Sequence, residues 1–276
     1  MPRVTVIVAT YNWATVLPYS IASVLGQTYA DFELLVVGDG CRDESEDVVR
    51  AIPDSRVRWT NIARAGHQSG PHNEGLRQAR GELIAYLGHD DLWLPHHLAQ
   101  HVAALDAGGD VSHSLLALVP PAGSGRPVVI STPGPTPPPS AVVHRRTVTD
   151  SLGGWRDFRD LSVTPEYDLW RRAAHAGFHF SPVRRLTGLK FSAAARKGVY
   201  AARPCHEQAA WLARVEREPD LEAVLLAGIA IDQHRDPTSI ERMWRLAVTP
   251  SRWRTFVFRG RGARLKREQR FKGVYS

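Results

Sequence analysis

Over its first 107 residues the chain alternates four times between a short, almost continuously apolar run and an amphipathic stretch, and this restricts the fold more than any other feature. Residues 4–9, 32–37 and 83–87 are rich in branched aliphatic side chains and read as strands buried on both faces, and residues 57–61 read as a further strand. Residues 14–27, 43–51, 70–80 and 95–107 read as the intervening helices, with Gly81 ending the third and Pro95 opening the fourth. The pattern predicts an α/β fold, a mostly parallel open sheet flanked by helices on both faces. Ligands bind such sheets beyond the carboxyl ends of the strands. Those ends carry Thr10-Tyr11-Asn12, Gly38-Asp39-Gly40 and Gly88-His89-Asp90-Asp91.

The rest of the chain is less regular. Eight prolines fall within residues 119–140, marking a loop or a boundary between subdomains. Helical spacing returns over 166–176, 207–217, 220–231 and 237–246, predicting a helical C-terminal extension. The net charge of +7 is uneven: residues 251–276 hold nine Lys or Arg against one Glu, so the body is close to neutral. Trp253, Phe256, Phe258 and Phe271 interleave that basic tail, a composition suited to an anionic lipid surface. A nucleic-acid-binding body is disfavoured by the same distribution. No apolar run is long enough to cross a bilayer, and the first strand is too short and too β-branched for a signal peptide. Cys41 and Cys205 form no disulfide framework. The expected location is cytoplasmic, with peripheral contact at the inner face of the membrane through the tail.

Asp90 and Asp91 are the strongest chemical signal. Adjacent carboxylates between a buried strand and a helix are costly unless a cation meets them, and a hard divalent ion sharing its shell with phosphate oxygens is a natural partner. A helix N-cap is the plainer reading of either acid alone. Asp39, between two glycines that permit close approach of a ligand, can accept from a base N–H or a ribose hydroxyl. His97 and His101, four apart on a helix, read as an exposed face rather than a metal pair.

Four segments in order, residues 6–12, 36–43, 73–84 and 89–91, resemble family 2 glycosyltransferases of the GT-A fold, over about residues 3–180. The resemblance implies an inverting transferase that uses a nucleotide-diphosphate sugar (UDP-, dTDP- or GDP-linked) and Mg²⁺ or Mn²⁺. It implies nucleotide contacts from Thr10, Tyr11, Asn12, Asp39, Asn73 and Asp90, and a metal ligand in Asp91. Pro165-Glu166-Tyr167-Asp168-Leu169-Trp170 resembles the family's catalytic stretch, making Glu166 the general base, with Asp168 as reserve base or as a residue that orients its helix. The acceptor hydroxyl is expected in a polysaccharide, a lipid-linked glycan or a natural product. The chain departs from the family pattern at Gly38, His72 and His89, where two acids and an arginine are missing.

The implied organisation is a nucleotide-sugar-binding domain over 1–118, an acceptor and catalytic-base region over 119–206, and a helical extension with the basic tail over 207–276. Lys190, Arg196, Lys197 and Arg203 lie in a stretch that could fold over the donor and meet its diphosphate. Two other functions share some features: a sugar-nucleotide pyrophosphorylase, disfavoured by Thr10-Tyr11-Asn12-Trp13 where a glycine-rich phosphate loop is needed, and a non-catalytic nucleotide-sugar or membrane-binding module.

Overall fold

The computed structural model describes residues 1–126, 128–131 and 137–235. The helix expected over 237–246 and the basic tail lie outside the described residues. In chain order the elements are β1 (Val4–Thr10), α1 (Leu17–Leu25), β2 (Phe32–Asp39), α2 (Ser45–Arg50), β3 (Val57–Ile62), α3 (Ser69–Gln78) and β4 (Leu83–Gly88). There follow β5 (Leu92–Trp93), α4 (His97–Asp106), β6 (Val111–Leu118), β7 (Val129–Ser131), β8 (Val142–Arg145), α5 (Arg146–Leu152) and α6 (Pro165–His175). The last are β9 (Phe180–Lys190), α7 (Val199–Ala202), α8 (His206–Arg217) and α9 (Leu221–Arg235).

One sheet runs in the order β3-β2-β1-β4-β8-β6-β9-β5, with β7 added to β6. The first four strands are mutually parallel, as the alternating pattern requires. Beyond β4 the sheet is mixed: β8 is antiparallel to β4 and β6, β9 is parallel to β6, and β5 is antiparallel to β9. The fold is therefore the expected α/β class, and its sheet continues across residue 118. Strands from beyond that point complete the half before it.

Side-chain alternation along β1 divides the core. Val4, Val6 and Val8 face one layer, with Leu17 and Ile21 of α1, Val49 of α2, and Leu98 and Val102 of α4. Ile7 faces the other, with Val148 of α5, Trp155, and Leu169 and Trp170 of α6. A third cluster joins Leu92, Leu186 and Leu189 to Leu212 of α8 and Leu225 of α9. At about 25 cal/mol per Å² of apolar surface, each of these fully covered side chains contributes roughly 1.5–3 kcal/mol.

The histidines of α4 depart from expectation. His97 and His101 are fully buried, not exposed. His97 Nδ1 meets Thr187 Oγ1 at 2.7 Å and stacks on Trp93, with ring centroids 4.0 Å apart. His101 Nδ1 meets Ser112 Oγ at 2.7 Å. The face they occupy is turned inward because β9 and β6 cover α4, and neither strand has the continuous apolar run that announces a buried neighbour.

Candidate active site

Parallel pairing brings the ends of the first four strands level. Thr10 pairs with Gly38, Ala9 with Gly88, and Asp39 with Ile62. The loops that follow share one edge, and they are stitched together by their own polar groups. Asn12, held at φ +46°, accepts from Arg42 N at 2.7 Å. Asn61 accepts from Cys41 N and donates to Cys41 O, both at 2.9 Å. Asn12 therefore ties the first loop to the second.

Asp39 is buried at the end of β2. Its carboxylate accepts from Ala65 N at 2.6 Å and Gly66 N at 2.9 Å. Arg64 Nη1 approaches the same carboxylate at 3.5 Å, and its Cζ lies 3.3 Å from the ring centroid of Tyr11. Gly40 makes the approach possible: at φ +71°, a Cβ there would sit 2.8–3.1 Å from the Cβ, N and Cα of Arg64. Thr10 is buried beside them, with its hydroxyl unpartnered.

The acidic turn after β4 behaves differently. Asp91 is 1% exposed, and three donors take its carboxylate: Ser140 Oγ at 2.6 Å, Lys190 Nζ at 3.0 Å and Phe191 N at 3.1 Å. The half-buried Asp90 receives no side-chain hydrogen bond from another described residue. Burial raises its pKa first and the charge of Asp91 second, against the pull of His89 and Lys190. Gly88 leaves room for both acids, since a Cβ there would lie 2.8 Å from Asp91 Oδ2 and 3.3 Å from Asp90 Oδ1. An aspartate in place of Gly88 would collide with them.

Lys190 ends β9. Burial opposes its charge, but Asp91, Asp90 and Glu166 outweigh it and hold the ammonium above the usual lysine range. Glu166 enters from the first turn of α6, where the Thr164 hydroxyl accepts from Tyr167 N and Pro165 occupies an early helical position. Its Oε2 accepts from Gln68 Nε2 at 3.2 Å, at the start of α3. His89 and Trp13 meet edge to face, and Tyr200 of α7 also meets Trp13 edge to face. His89 Nδ1 and Trp13 Nε1 are buried without partners. Unpartnered buried polar atoms are uncommon in a folded protein, and here two touch the acidic turn.

The structure brings Thr10, Tyr11 and Asp39 together at one end of this edge, and Asp90, Lys190 and Glu166 at the other. Two expected residues face elsewhere. Asn73 Nδ2 donates to Trp155 O at 2.8 Å and Oδ1 accepts from Trp155 N at 2.9 Å, which fastens α3 to the segment before α6. Asp168 is buried and paired with Arg172 at 2.7 Å, whose guanidinium also donates to Leu152 O and Gly154 O. Its carboxylate holds the corner between α5 and α6. Of the four cations expected to cover the donor, Lys190 enters the site. Arg196 is spent on Glu207 and on the carbonyls of Val119 and Pro120. Ser140, Gln68, Arg64 and Trp13 carried no signal in the sequence, because each depends on contacts between distant segments.

Among the described residues no group of three His, Cys, Asp or Glu could hold a metal ion. Asp90 is the carboxylate left open at the acidic turn, so the residues fit a divalent ion only as one shared with diphosphate oxygens and water.

Residues 5–117 match the model of glycosyl transferase family 2. This segment is a family 2 glycosyltransferase domain. The domain is 38% identical over 103 residues to an uncharacterized glycosyltransferase of Nostoc sp., covering 36% of this chain and 32% of that one. It is 35% identical over 102 residues to the UDP-Glc:alpha-D-GlcNAc-diphosphoundecaprenol beta-1,3-glucosyltransferase WfgD of Escherichia coli, covering 37% and 40%. The match thus spans about a third to two fifths of these relatives' own length. The fold resembles that of S. aureus TarS in complex with UDP-GlcNAc: TM-score 0.60, 19% identity, 83% of this chain and 70% of that one. It also resembles the mannosyltransferase PcManGT of Pyrobaculum calidifontis in complex with GDP-Man and Mn²⁺: TM-score 0.57, 18% identity, 99% and 85%.

Proposed function

We propose that the chain transfers a sugar from a nucleotide-diphosphate donor to an acceptor hydroxyl by single displacement, inverting the anomeric carbon. The observation that carries this reading is the convergence of Asp90, Lys190 and Glu166, from the turn after β4, the end of β9 and the first turn of α6, on the sheet edge that also carries Tyr11 and Asp39. Tyr11, Asp39 and Thr10 would take the nucleoside. Lys190, already charged in the free protein, would meet the diphosphate, in a role for which a fixed cation in a dry site is well suited. Glu166 would accept the proton of the acceptor hydroxyl as its oxygen attacks, the role of a general base.

Mg²⁺ or Mn²⁺, when bound, would neutralise charge on the leaving diphosphate. The protein ligand for it is Asp90 in this reading, not Asp91 as the family pattern implied, because both oxygens of Asp91 already accept internal donors, two on Oδ2 and one on Oδ1. Asn73 and Asp168 act as braces, and Asn12 as a loop tie.

The Escherichia coli relative's name specifies a lipid-diphosphate acceptor, and the solved neighbours hold UDP-GlcNAc and GDP-Man. Together with the basic, aromatic tail these favour a UDP- or GDP-sugar donor, a lipid-linked acceptor, and work at the cytoplasmic face of a membrane. The test is calorimetric titration of the full chain with UDP, GDP and dTDP in Mn²⁺, followed by transfer assays with the matching nucleotide sugars. One nucleotide is expected to bind clearly better than the others and its sugar to be transferred or hydrolysed. Failure of all three to bind would sink the reading.

A further inference from the structure

The two groups best suited to hold a flat nucleobase are both engaged by one short segment of the protein itself. Arg64 lays its guanidinium on the ring of Tyr11, 3.3 Å from the centroid. The next two amides, of Ala65 and Gly66, donate to the carboxylate of Asp39 at 2.6 and 2.9 Å. A planar cation on an aromatic face, beside N–H groups aimed at a carboxylate, reproduces the chemistry of a base that stacks on Tyr11 and donates to Asp39. With 3.3 Å between guanidinium and ring, no second plane fits between them.

We propose that residues 64–66 are an internal occupant of the base subsite, and that the donor binds by exchange: Arg64 leaves Tyr11 and the base takes its place. This rests on the glycosyltransferase reading. The segment is built to leave. Arg64 is exposed and its contact with Asp39 is long, at 3.5 Å. Gly66 has φ +81° and open space where a Cβ would sit, so the backbone there can change conformation without a clash. Arg64 thereby sets donor affinity from a position where it competes with the donor.

Calorimetry with UDP and GDP in Mn²⁺ on the full chain tests this. Arg64→Ala is expected to bind the preferred nucleotide about three- to fivefold more tightly than the parent protein, the scale of one exposed cation–aromatic contact removed. Hydrogen exchange on the parent protein gives a second readout that needs no variant: the amides of Ala65 and Gly66 should exchange faster when the nucleotide is bound. Weaker or unchanged binding by a folded Arg64→Ala, or slower exchange of those amides, overturns the proposal while leaving the transferase reading intact. Absence of nucleotide binding by the parent protein overturns both.

Discussion

At the β1–β2 end of the sheet edge, Asp39 accepts two backbone amides from the neighbouring loop. At the β4–β9 end, Asp90 accepts no side-chain bond from another described residue, and its neighbour Asp91 is held by three donors from two later segments of the chain. At the first end one carboxylate is met by the amides and the guanidinium of a single loop; the second end gathers several charged groups from afar. Burial cost explains the difference. A carboxylate is held cheaply by adjacent amides, whereas two adjacent acids in a partly dry site need a cation, and the backbone cannot supply one. The first end is thus poised to exchange one set of hydrogen bonds for another, and the second to receive a charged group.

The largest expected effect lies at the charged end. Glu166→Gln should lower transfer at least ~100-fold with nucleotide affinity unchanged, the loss expected for a general base. Asp168→Asn should instead retain the shape of the pH–rate profile and lower the melting temperature, because it releases Arg172. If Asp168→Asn abolishes turnover in a fully folded protein and Glu166→Gln does not, the assignment of the two acids is reversed.

A stability measurement separates the adjacent acids. Asp91→Asn leaves Lys190 without its main partner and should cost about 2–4 kcal/mol in urea unfolding. Asp90→Asn should stabilise the protein at pH 7 by up to about 1 kcal/mol, because its raised pKa reflects a charge the fold disfavours. A carboxyl with a folded pKa above its unfolded value of about 3.9 adds stability that is full below that value and lost as pH rises through the folded one. The advantage of Asp90→Asn should therefore vanish below about pH 4. Equal losses in both variants would show that the two acids share one environment.

The smallest effect tests the bracing role of Asn73. Asn73→Ala removes two hydrogen bonds to Trp155 and should cost about 1–2 kcal/mol. Nucleotide affinity should stay within about twofold of the parent protein. A tenfold loss in titration would restore Asn73 to the nucleotide site.

What the sequence made legible follows the same division. The strands β1, β2 and β4 and the motifs at their ends were readable because burial on two faces produces a nearly unbroken apolar run, and the parallel rule then fixes which end carries ligands. The strand β9 was not, because its burial is intermittent: the exposed Arg184 and Arg185 interrupt its apolar positions, while Leu186 and Leu189 are fully covered. The pairing of Asp91 with Lys190 lies 99 positions apart in the chain, and no local pattern encodes it. His97 and His101 misled for a related reason. Histidines at helical spacing look solvated until two hydroxyls, Thr187 and Ser112, are found waiting on strands.

All three donors to Asp91 come from beyond residue 117, where the family match ends. Recombination at that border would therefore deliver an acidic turn with no counter-charge and no hydroxyl to receive it. Acceptor halves exchanged between relatives would have to bring their own Ser140 and Lys190 equivalents, so inheritance of a new acceptor and inheritance of a stable acidic turn are a single event.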